Sequence, residues 1–186
     1  MTGEIINIPL PDPLSMSENY DFNQSTSLDD IRWKSIERAD KLTCVILDLP
    51  PAEHIYLRML EVRRCYLSGL NSAAVVMCRS LIENTLQELV GELKPNKTES
   101  IYFEKLVRVQ TKRHGGFRRP QGLENHIHRA EARELLNRVL AASAHQIRKI
   151  GNEILHDAKT ITEEQTLKIV SDTYEILSAL SRNAEL

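Results

Sequence analysis

The sequence predicts an all-α fold, an up-and-down bundle of five or six helices. Three observations carry that expectation. Aromatic residues make up only 5% of the chain while Leu, Ile, Ala, Glu and Arg are plentiful, a composition of helices rather than strands. Beyond the first 26 residues, prolines fall only at Pro50-Pro51, Pro95 and Pro120, where they punctuate the chain. Between them apolar residues recur at helical spacing, with no strand-like alternation of useful length.

Residues 1–26 stand apart. They hold three of the seven prolines and follow neither period, which predicts an extended or disordered arm. The remainder, 27–186, reads as a single helical domain. Its first helix is expected to start at Ser27, a hydroxyl cap with Asp30 three residues on. It carries a stripe of Ile31, Ala39, Leu42, Ile46 and Leu49 and ends at Pro50. Pro51 suits the first turn of a second helix running to about Gly69. A third follows from Asn71 to about Leu93. A shorter helix is expected around Ser100 to Gln110, then a loop through the glycines and Pro120 to about His126. A long helix is expected from Arg129 to Asp157. Thr162 with Gln165 reads as a capping box opening a last helix, on which Leu167, Val170, Tyr174, Leu177 and Leu180 align.

A chain of 186 residues with 41% apolar and 27% charged residues and net charge −2 has the make-up of one globular domain. The longest apolar runs, such as Ser72 to Cys78, fall far short of the roughly 18 residues that cross a bilayer. No basic-then-apolar leader opens the sequence. Cys44, Cys65 and Cys78 are an odd number without a CxxC pair, which argues for free thiols in a reducing compartment. The expected location is cytoplasmic, with no membrane association, no cofactor and no metal. His126 and His128, two apart without a nearby cysteine, lack the spacing of zinc ligands.

Candidate chemistry concentrates in "IRKIGNEILHD", Ile147 to Asp157. On an ideal helix Leu136, Leu140, Ile147, Ile150, Gly151 and Ile154 gather on the core side, and His145, Arg148, Asn152 and His156 on roughly the opposite face. The polar stripe is therefore expected to face water, a partner or a groove. Gly151, at a mid-helix position where glycine costs about 1 kcal/mol against alanine, is expected to mark close approach of another helix. The third helix, "NSAAVVMCRSLIENTLQELV", is apolar almost all round in its first half and should be central. It nevertheless carries Arg79 and Glu83, which need partners if buried. They pair either with each other or, for Glu83, with Arg148.

"CYLSGLNSAAVVMCRSLIENTLQELV" and, later, "IRKIGNEILHDAKTITEEQTLKIVSDTYEIL" resemble a bacterial helical family found beside or fused to restriction and defence enzymes. The shared features are Arg79, Ile82 and Glu83, then Gly151, Asn152 and His156, then Thr162-Glu163-Glu164, over about residues 55–182. That family is similar in turn to the HEPN superfamily (higher eukaryotes and prokaryotes nucleotide-binding domains), helical bundles that often dimerise. Many members are metal-independent ribonucleases in which four to six residues separate an arginine from a following histidine. The resemblance implies a homodimer that acts on RNA or another nucleic acid in a defence or toxin-type system, with a restriction or defence protein as a further partner. In that chemistry a histidine moves a proton of the ribose 2′-OH or the leaving oxygen, and a cation neutralises charge on the phosphate. The catalytic candidates are His156, Asn152, Arg148 and Lys149. The expected spacing is not kept, since Gly151, Ile150 and Lys149 occupy the positions where arginine belongs. A non-catalytic module that dimerises or binds a partner protein or nucleotide is the alternative.

Residues 105–129 carry seven Lys/Arg against the single acid Glu124, a segment of +6 in a chain of −2. This basic segment is a candidate phosphate-backbone contact. Arg113, Arg118 and Arg119 are its expected binding residues, and Arg79, Glu83 and His145 complete the binding candidates.

Overall fold

The computed structural model describes residues 27–43, 53–91, 97–98, 100–102 and 122–183. Their elements with defined bounds are six α-helices and one π-helical turn, residues 97–98 and 100–102 are also helical, and no strand occurs among the described residues. The α-helices are α1 (Leu28–Thr43), α2 (Glu53–Leu67), α3 (Asn71–Leu86), α4 (Leu123–Ala132), α5 (Arg138–Asp157) and α6 (Glu163–Asn183). The π turn, Gln87–Gly91, continues α3 directly. None of the helices is long and apolar enough to cross a membrane. The expected arm at 1–26, the end of the first helix including Ile46 and Leu49, and most of the expected 100–110 helix lie outside the described residues.

The helix starts follow their local chemistry. Ser27 and Asp30 exchange hydrogen bonds of 3.1 Å in both directions, from each backbone N–H to the other's side-chain oxygen. Thr162 and Gln165 do the same at 3.2 Å. Both are reciprocal caps that satisfy N–H groups without an intrahelical partner. α2 ends in a Schellman turn. Leu70 N–H reaches Cys65 O and Gly69 N–H reaches Tyr66 O, both at 2.9 Å, and Gly69 takes the left-handed conformation (φ 74°) that glycine permits.

α3 is the central helix, packed against α2, α4, α5 and α6. Its residues Ala74, Val75, Cys78, Leu81, Ile82 and Leu86 are buried. They meet Tyr66 of α2, Ile127 of α4, Ile147 of α5 and Ile176 and Leu180 of α6 in one apolar core. Burial pushes the Cys78 thiol up to about 12, so it packs as a small apolar group. The predicted inward side of α5 is correct in kind: Ile147 and Gly151 are buried and Leu140, Ile150 and Ile154 lie partly buried against the core, while Leu136, expected on the same helix, is buried in the turn before it. Ile31, expected on the buried stripe of α1, is instead 50% exposed, because α1 packs chiefly on α2 and its first turns extend past that contact.

The main departure lies before α5. Residues from Leu123 were expected to be loop, and a single helix was expected from Arg129 to Asp157. Instead α4 occupies Leu123–Ala132, a turn follows, and α5 begins at Arg138. The break is a second Schellman turn: Leu135 N–H reaches Ala130 O at 2.9 Å and Glu134 N–H reaches Glu131 O at 3.0 Å. Glu134 holds the left-handed position (φ 63°) usually given to glycine. Asn137 then caps α5, its Oδ1 accepting from Leu140 N–H at 2.9 Å.

Candidate functional site on the polar seam of α5

α4 covers the side of α5 that the sequence suggests is wet. His145, Arg148 and Asn152 consequently do not look outward as a group; they form a polar seam against α3 and α4, and His156 at the end of the row is exposed. Each member of the row meets a different partner.

At the first position, His145 lies against His128 of α4, with ring centroids 4.7 Å apart. Burial pushes the His145 imidazole down to about 4, with His128 and Arg148 acting in the same direction. Burial also lowers His128. Tyr102 Oη lies 3.2 Å from His128 Nδ1 and donates to Glu131 Oε2 at 2.6 Å. His145 is therefore a neutral packing group in the α4–α5 contact at neutral pH, not a residue presented to a ligand.

One turn on, Arg148 Nη1 stands 3.6 Å from Glu124 Oε2 of α4, and its Nε is buried without a hydrogen-bond partner. The alternative pairing of Arg148 with Glu83 is not formed. Glu83 instead faces Arg79 Nη1 at 3.1 Å, the i,i+4 pair within α3. Neither charge is fully buried, with side-chain exposures of 22% for Arg79 and 30% for Glu83.

Arg79 also crosses to α5. Its Nε donates to Asn152 Oδ1 at 2.9 Å. The crossing depends on Gly151: a Cβ there would lie 2.6 Å from Arg79 Cδ and 3.0 Å from Arg79 Cβ. The glycine therefore makes room for the arginine stem of the neighbouring helix. Asn152, which holds the Arg79 Nε, and the exposed His156 are four residues apart, one turn along the same side of α5.

Lys149 is exposed beside this row, 3.9 Å from Glu153 Oε1. Glu153 also accepts from Lys159, whose hydrogen bond is the main cause of its lowered carboxyl pKa. α5 closes with Ala158 in the left-handed region (φ 50°), its N–H bonded to Glu153 O. Arg113, Arg118 and Arg119 lie outside the described residues. A Cβ at Gly122, the residue before α4, would lie 3.8 Å from Glu83 Oε1.

His126 carried no functional role in the sequence reading. It lies on α4 with Nδ1 buried and unbonded; burial lowers its pKa and the nearby Glu83 opposes that shift. Only recognition of α4 as a helix could have brought it to Glu83. Among the described residues no group of three or more His, Cys, Asp or Glu side chains is placed to hold a metal ion.

No curated protein sequence and no solved structure gives a match to the chain. A family model does match, over residues 60–185, from the middle of α2 to beyond the end of α6. The chain, with α3, Gly151, Asn152 and His156 all inside that span, belongs to the family described as Domain of unknown function (DUF4145).

Proposed function

We propose that the chain is a HEPN-like helical bundle that binds RNA at the outer end of the α3–α5 seam, where His156 is exposed. One observation carries the reading: Arg79 of α3 is hydrogen-bonded to Asn152, one helical turn from His156. Two helices thus bring a cation and an amide together one turn before an imidazole on α5, and the crossing requires a glycine within α5. Residues 105–129, with a net charge of +6, supply further positive charge for a phosphate backbone. The proposed setting is a cytoplasmic homodimer in a bacterial defence or toxin-type system, with a restriction or defence protein as partner.

In the catalytic form of this reading His156 accepts the proton of a ribose 2′-OH. The 2′-oxygen attacks the adjacent phosphorus, the bond to the 5′-oxygen breaks, and that oxygen takes a proton from water. Arg79 replaces, from another helix, the arginine that is missing before His156. The test is incubation of the full chain with single-stranded RNA in EDTA. Cleavage by the wild type and its loss in His156→Ala is the expected result, and equal cleavage by that variant removes His156 from the chemistry.

A second reading has its own support. Arg79 and Arg148 both face carboxylates, Glu83 and Glu124, which suits a non-catalytic module that dimerises or binds a partner protein or nucleotide. RNA that stays intact and unbound with the purified protein favours this version.

A further inference from the structure

We infer that Glu83 holds the place of an RNA phosphate on Arg79, and that RNA binds by displacing this carboxylate from the guanidinium. The inference rests on the RNA-binding reading above and names the exchange by which that surface is occupied. Arg79 is fixed from two sides. Its stem lies against Gly151, and its Nε is held by Asn152 at 2.9 Å. The guanidinium therefore keeps its position whether or not Glu83 is bound to it. Glu83 engages Nη1 at 3.1 Å, and a guanidinium has five N–H donors in a planar fork that matches carboxylate and phosphate alike. A carboxylate and a phosphate oxygen compete for the same edge.

The pair is open enough for exchange. With 22% and 30% of the two side chains exposed, an incoming anion reaches the pair without unpacking the core, and a released Glu83 carboxylate is solvated. Arg148 is a poorer candidate for the same role. It lies two turns from His156, its partner Glu124 is 3.6 Å away, and its Nε is buried. Glu83 also lies beside Gly122, the residue before α4.

A purely structural ion pair and a phosphate placeholder predict opposite effects of the same substitution. The measurement is fluorescence anisotropy of a labelled single-stranded RNA oligonucleotide against the full chain across a salt series. The proteins are the wild type, Glu83→Gln, Arg79→Gln and Arg79→Lys. Glu83→Gln keeps the side-chain shape and removes the competing charge, so it is expected to tighten RNA binding by about threefold to tenfold. Arg79→Gln is expected to weaken binding and reduce the slope of log K against log salt by about 0.7, the share of one phosphate contact on a single strand. Arg79→Lys restores the slope but not the full affinity, because an ammonium lacks the fork.

Unchanged or weaker binding by folded Glu83→Gln, with wild-type RNA binding intact, overturns the exchange and leaves the RNA-binding reading standing. Absence of binding by the wild type at every salt concentration overturns both. If Arg79→Gln fails to fold, the Glu83→Gln arm still decides the matter.

Discussion

A methyl group at position 151 would have to displace the Arg79 stem, since its carbon would lie 2.6 Å from Arg79 Cδ. Two effects of opposite sign meet there. Alanine favours the helix over glycine by about 1 kcal/mol, whereas forcing an extra carbon into a tight contact costs about 1–3 kcal/mol. The stem is a flexible chain, but its Nε is tied to Asn152, so moving it sacrifices a hydrogen bond as well. Gly151→Ala is therefore expected to be net destabilising by about 1–2 kcal/mol in urea unfolding. The loss should shrink in the double variant Gly151→Ala with Arg79→Ala, because the colliding Cδ is gone although the Cβ contact of 3.0 Å remains. Strict additivity of the two single losses would show that the glycine is not there for the arginine.

The α4–α5 corner is governed by its turn and by its histidine pair. Glu134 pays for the left-handed conformation that ends α4 (φ 63°), so Glu134→Gly is expected to raise the stability by about 0.5–1 kcal/mol in the same unfolding assay. Acid should loosen this corner. The His145 imidazole is held down to about 4 in the fold against an ordinary 6.5, through burial first and then His128 and Arg148, with Glu124 and Glu131 opposing. Between these values the unfolded chain binds a proton that the native chain refuses. Stability is thus full above about pH 6.5, falls as the pH drops toward 4, and then levels. His126 and His128 shift in the same direction, so His145→Leu should reduce the slope of melting temperature against pH in that window without abolishing it. A slope unchanged by the substitution would locate the acid sensitivity elsewhere. This corner is also where the sequence was least legible. The caps at Ser27 and Thr162 and the inward side of α5 are written in local spacing, and Gly69 announces its turn. Glu134 does not, because a glutamate at a left-handed position carries no signal. Missing that turn joined the end of α4, from Arg129, to α5, while the glycines and Pro120 made its start look like loop; without a separate α4 the row of His145, Arg148 and Asn152 looked solvent-facing. The angular grouping of the row was right; the helix that covers it was absent from the reading.

Across the whole molecule, α1 stands apart in how it is attached. The family match begins at residue 60, after α1 has ended at Thr43. Its Leu42 is buried, but Leu28, Ile31, Trp33 and Ile36 are exposed, so apolar burial supplies little of its attachment. A polar clasp supplies more. Arg38 Nε binds Glu163 at the start of α6 at 2.9 Å, and Arg38 Nη1 donates to Leu67 O at the end of α2 at 3.3 Å. Lys41 reaches the other Glu163 oxygen at 3.1 Å, and Ser35 Oγ donates to Leu67 O at 3.0 Å. One arginine thus bridges a carboxylate in the first turn of one helix and a carbonyl in the last turn of another, the groups that such ends leave available. Hydrogen bonds to charged groups contribute about 1.5–3 kcal/mol when well shielded, and the partly exposed Glu163 places this clasp toward the lower end. Arg38→Ala should therefore release α1 locally: its amides exchange faster by about tenfold or more, as a loss of about 1.4 kcal/mol in local opening requires, while α3, α5 and α6 keep their protection. Hydrogen exchange read helix by helix decides the matter. If protection in α3, α5 and α6 falls in step with α1, the first helix belongs to the same cooperative unit as the family domain, and its few buried apolar contacts matter more than the clasp.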